Sequence, residues 1–146
     1  MACLAVIPLA LGACSRKSLS GVYNVHVSTG SKTYVAHIQA DGNSFKGHMH
    51  RDRQPVKCNW SAFEGTLNDN VGYLTKAESW NLDDDGWRIR DEGKGLRIEF
   101  QWSKEGDTLR VTPRNQDDEK DLVFIGTKRE GEKPFTGNLR DFPCTK

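Results

Sequence analysis

Charge of one dominant sign is missing from this chain: 21 Lys and Arg stand against 20 Asp and Glu, a net +1 over 146 residues. Nucleic-acid binding needs a basic stripe and an acidic tail needs a block of one sign, so no nucleic-acid partner is expected. Long apolar runs are missing too. The stretch Met1 to Ala13 is too short to cross a bilayer as a helix. No dozen residues space their apolar positions in threes and fours, which excludes a helical domain. There is no Gly-x-Ser-x-Gly elbow, and the carboxylate pairs Glu64 with Asp69 and Glu78 with Asp83 have no apolar surroundings to desolvate one member. A protein that is not an enzyme and needs no cofactor is the expectation. Cysteine is scarce at four residues, so the chain must close a core of its own rather than rely on staples throughout.

What is present is alternation. Val22 to Val27 and Lys32 to Ala40 flank Ser28-Thr29-Gly30-Ser31, and a two-residue loop at Thr29-Gly30 sets Tyr23 opposite Ala36 and Val25 opposite Tyr34. A second loop at Asp41-Gly42 pairs Ile38 with Phe45, Ala36 with Gly47 and Tyr34 with Met49. Both turns predict the same inward face, and a slip of one residue would expose it. Farther on, Val56 to Leu67 changes phase as if bulged near Gly65, Val71 to Trp80 makes a fifth strand, and Trp87 and Ile89 alternate with Arg88 and Arg90. Leu96, Ile98, Phe100 and Trp102 share one face of the next strand; Leu109 with Val111, and Asp121 to Thr127, complete the series.

About eight strand-like runs with turn signals between them make this an all-β chain. A small antiparallel meandering barrel of about eight strands is expected over residues 21–146, as one domain, because closure removes the exposed edges; a β-sandwich is the alternative. Gly21-Val22-Tyr23 resembles the Gly-x-Trp opening of lipocalins, with Tyr23 in the tryptophan's place, which implies a lipocalin-like or calycin-like plan. Tyr23, Tyr34, Phe45, Met49, Trp60, Phe100 and Trp102 are all read as pointing inward, enough bulk to pack the interior.

Leu11-Gly12-Ala13-Cys14 resembles the lipobox of bacterial lipoproteins. The resemblance implies a signal peptide over residues 1–13, a Cys14 carrying palmitate-type acyl chains, and a lipidated N-terminus and tether over 14–20. Ser15 after the cysteine implies the outer membrane, on its periplasmic side, with the membrane touched through the lipid anchor alone. Once Cys3 leaves with the leader, Cys58 and Cys144 remain as an even pair in an oxidising compartment, and a disulfide between them is expected.

Two groups of side chains could carry a site. Asn81, Asp83, Asp85, Gly86 and Glu92 follow the spacing of a calcium loop, but Arg88, Ile89, Gly93 and Gly95 do not suit its packing or its following helix. The reading there is an acidic hairpin loop, with no metal. The four histidines, His26, His37, His48 and His50, fall on the outer face, where solvated rings are expected. Trp80 and Trp87 flank the acidic loop and, with Asp83, Asp84, Asp85, Arg88 and Arg90, form a candidate surface for a protein partner.

The expected function is thus a non-enzymatic envelope lipoprotein that binds a periplasmic protein, as an assembly component or in the manner of the lysozyme inhibitors and toxin-immunity proteins it resembles in plan. A lipocalin-like carrier of a small apolar ligand is the alternative. Interior volume separates the two.

Overall fold

Nine antiparallel strands succeed one another in a computed structural model that describes residues 18–69, 71–91, 97–102, 107–114 and 123–146. They are β1 (Gly21–Val27), β2 (Thr33–Asp41), β3 (Ser44–Arg51), β4 (Asn59–Asn68), β5 (Val71–Asp83), β6 (Gly86–Asp91), β7 (Arg97–Trp102), β8 (Thr108–Arg114) and β9 (Phe124–Lys128). Strands β1 to β5 pair in sequence, β5 passes to β7, and β7, β8 and β9 lead back to β1. The result is a closed eight-stranded barrel with β6 outside it, paired to β5 alone. Among the described residues the seam between β5 and β7 joins Val71 to Glu99, Gly72 to Ile98 and Tyr73 to Arg97. The expected leader, Cys14 and most of the tether lie outside the described residues.

The first hairpin has the expected register, with Tyr23 opposite Ala36 and Val25 opposite Tyr34. The second differs by two residues. Asp41 pairs with Ser44, Ala40 with Phe45, Ile38 with Gly47 and Ala36 with Met49, so the loop is Gly42-Asn43. The physical reason is backbone sign: placing Gly42 first in the loop, at φ +56, leaves Asp41 extended, whereas an Asp41-Gly42 loop would force Asp41 into the left-handed region as well. Because the shift is even, the same side chains still face inward.

The expected bulge lies where Glu64 pairs with Lys76 but Gly65 with Leu74, which leaves Thr75 unmatched. It turns Leu74 toward the core and Tyr73 to solvent. Gly65 is required here because an added Cβ would stand 2.4 Å from the Tyr73 carbonyl oxygen and 2.5 Å from the Phe45 ring. Phe45 in turn meets Phe100 edge to face at 5.6 Å. Leu19, ahead of β1, is buried in the same core, and Tyr23 Oη donates to its carbonyl at 2.9 Å. One end of the barrel is therefore plugged.

Beyond β9 the chain becomes a strap over the outer face of β2, β3 and β4. Its near end is fixed by Arg129, whose backbone N–H donates to Val22 O at 2.7 Å and whose Nε donates to Asn24 Oδ1 at 2.8 Å. Its far end is held by Cys58 and Cys144, at disulfide distance as expected, with Cα atoms 5.2 Å apart, and by a parallel bridge between Lys57 and Thr145.

The strap corrects two expectations. Trp60 is buried but not inside the barrel: it lies on the outer face of β4 with Phe142 over it at 4.6 Å. His37, His48 and His50 are likewise on the outer face yet buried, and only His26 is exposed. His37 and His48 are direct cross-strand partners. Both sides of β4 are covered, one by the barrel core and one by the strap, so alternation alone could not say which side of Trp60 faced the interior.

Candidate ligand-binding site

The inner face of the barrel changes character from one end to the other. At the plugged end Leu19, Tyr23, Phe45, Phe100 and Leu109 form a floor. Above them the inward positions carry small side chains, Ala36 on β2, Ser61 on β4, Ala77 on β5 and Gly126 on β9, and a cavity of about 250 Å³ remains between apolar walls. The interior is therefore not packed as expected. Trp60 has gone to the outer face, which leaves Ser61 in its place; the side chain of Trp102 lies outside the described residues. Ser61 points inward yet is exposed, which marks the open mouth at the end opposite Leu19.

At that mouth the cavity meets a second space of about 210 Å³, and the two share Met49 and Ser61. This vestibule is polar and basic. Tyr34, Arg51 and Asn59 come from the rim ends of β2, β3 and β4, and Arg53 and Lys57 from the segment between β3 and β4. His50 completes the lining, which among the described residues holds no carboxylate. Sequence reading did not single out these cations, although Arg51 shares the parity of Phe45 and Met49 and was legible as an inward residue at the rim.

The histidine layer under the strap is a structural element. His37 and His48 stack with centroids 4.5 Å apart and planes within 6°. The Phe135 N–H donates to His37 Nδ1 at 3.1 Å, which puts the His37 proton on Nε2, whereas His50 Nδ1 lies 3.0 Å from the Arg51 carbonyl and is the donor there. Burial is the main cause that pushes His37 down to about 4 and His48 down to about 3, and His50 is lowered for the same reason. All three rings are neutral near pH 7. No group of His, Cys, Asp and Glu among the described residues could hold a metal ion.

The candidate partner surface is divided by the sheet that carries it. Trp80 and Trp87 share one face of the β5–β6 hairpin, ring centroids 5.9 Å apart, beside an exposed Ile89. Register puts Asp83, Arg88 and Arg90 on the opposite face. Asp84 and Asp85 form the turn between the strands, Gly86 follows at φ +108, and the Arg88 guanidinium pairs with both Asp83 and Asp85. The calcium-loop spacing is thus realised as a tight hairpin whose carboxylates are met by arginine, with Glu92 outside the described residues.

Comparison with protein-family models, curated proteins and solved structures returns no match, so geometry alone carries the functional reading.

Proposed function

We propose that this protein is a non-enzymatic, lipid-anchored β-barrel carrier whose interior holds a small apolar ligand. The cavity of about 250 Å³ above the aromatic floor is the observation that supports it. An apolar cavity of roughly 150 Å³ is enough for benzene, which scales to a ligand of about ten non-hydrogen atoms here. The neutral dye 1-aminonaphthalene, which has about that many non-hydrogen atoms, is expected to brighten on binding the soluble domain. Ser61→Trp, which obstructs the exposed mouth, and Ala77→Phe, which fills the interior, are each expected to weaken the dye about tenfold or more, some 1.4 kcal/mol. A wild-type protein that leaves the dye dark, or variants that bind it unchanged, would overturn the reading.

The proposed address is the periplasmic side of the outer membrane, and the lipobox-like Leu11-Gly12-Ala13-Cys14 supports it. Leu19, which plugs the floor, lies within the expected tether and five residues after Cys14, so the mouth would open away from the membrane. A fatty-acid analogue should label the full-length protein and fail to label Cys14→Ala. Equal labelling of both would remove the anchor.

Protein binding is the second reading, favoured by Ile89 at 46 % exposure beside Trp87 on the strand outside the barrel. It takes first place if the dye experiment fails while an envelope protein captured by the domain is released by Ile89→Lys.

A further inference from the structure

We infer that the ligand is an anionic amphiphile: a single alkyl chain in the barrel and a carboxylate or phosphate head in the vestibule beside Arg51 and Arg53. This rests on the reading of the interior as a ligand site and adds the chemistry of what enters it.

Continuity is the first support. Met49 and Ser61 line both spaces, so a chain standing on the Phe45–Phe100 floor emerges directly among the vestibule's donors. The charges are the second. Several cations elsewhere on this protein are met by carboxylates: Arg88 has Asp83 and Asp85, Arg97 has Glu99 at 3.1 Å, Arg129 has Glu132 at 3.4 Å, and Lys76 has Glu78 at 3.0 Å. Among the described residues the guanidinium groups of Arg51 and Arg53 have none. Lys57 is partly engaged, since its Nζ donates to the Lys146 carbonyl oxygen at 2.8 Å.

The nearest acidic side chain in sequence is Asp52, between the two arginines. It is not part of the vestibule lining, and its field falls on His50. Two unpaired guanidinium groups above an apolar bore are matched by a ligand with one charged end. The arginine forks accept a carboxylate or a phosphate in paired hydrogen bonds, and Tyr34, Asn59 and Ser61 add further donors at the same rim. A neutral chain would leave these groups to water, and a cationic one would be repelled.

Four ten-carbon probes test it by displacement of the dye: decanoate, decyl phosphate, decanol and decyltrimethylammonium. Both anions are expected to bind about tenfold or more tighter than decanol, with the cation weakest, and raised salt should weaken the anions alone. In the double variant Arg51→Ala/Arg53→Ala the preference for anions disappears, while decanol and the dye bind as before. Decanol that matches decanoate in the wild type, or a double variant that keeps the preference, would overturn this inference and leave the carrier intact. Failure of the dye and of all four probes would overturn both. A preference for decanoate over decyl phosphate, or the reverse, identifies which head group the rim was built for.

Discussion

Replacing Cys144 with serine lowers the stability of the domain by about 4 kcal/mol, read as a fall in the urea midpoint with a steeper slope, since the unlinked unfolded chain exposes more surface. Cys58 and Cys144 are 86 residues apart, so their link closes most of the chain on itself and removes much of the freedom of the unfolded state. The folded side contributes as well. Phe142, two residues before Cys144, lies over Trp60 at 4.6 Å and meets His37, His48 and His50 between 5.4 and 5.6 Å. A freed strap would let water reach that layer. A reductant should bring the wild-type midpoint to that of Cys144→Ser and leave the variant where it was. Dye binding should survive the substitution, because the strap lies outside the barrel wall. A midpoint that moves by less than about 0.5 kcal/mol would show that the linkage carries no weight.

Acid is expected to have an effect of comparable size, on the order of 2 kcal/mol for each of His37 and His48 between pH 7.5 and pH 4.5. The sign follows from where the protons go. Both rings have folded values, about 4 and about 3, below the ordinary 6.5 of an unfolded chain. The unfolded state therefore takes up protons first as pH falls. Stability is complete above about 6.5 and drains away as pH descends toward 4. The charged groups around the layer pull both ways. For His37, Glu132 of the strap favours the proton while His50 and Arg129 oppose it. Asp52 favours protonation of His50, and His37 and His50 oppose that of His48. Burial outweighs all of them. Urea midpoints at pH 7.5, 6 and 4.5 should decline steadily in the wild type and about half as steeply in His48→Phe. An identical pH dependence in the two proteins would show that the layer is not what titrates.

The extent to which the fold could be read in advance differs from one residue to the next. The first register was legible in the facing apolar alternation of Val22 to Val27 and Lys32 to Ala40, although the loop is wider than Thr29-Gly30: pairing stops at His26 with Thr33, and Gly30 is not in the left-handed region. Asp41-Gly42 misled by two residues because one glycine can occupy either loop position, yet the inside stayed the inside. Trp60 and the histidines were misplaced for a different reason. Period-two patterning separates the faces of a strand but does not say which is covered, and here the covering comes from residues 129–146, which have no periodicity to announce them. The pairing of Cys58 with Cys144 was the sequence's one sign that the tail returns to β4. The cavity was missed as a consequence of Trp60, whereas Arg51 could have been found by continuing the count along β3.

The short join between β5 and β7 gives the barrel a weak stave. Among the described residues three pairs fasten the ring there, whereas β4 grips β5 along ten. Under thermal agitation a hoop parts at its shortest fastening while the rest of the circumference stays intact. That side lies beside Gly72, whose missing side chain lets the Phe100 ring rest against the wall.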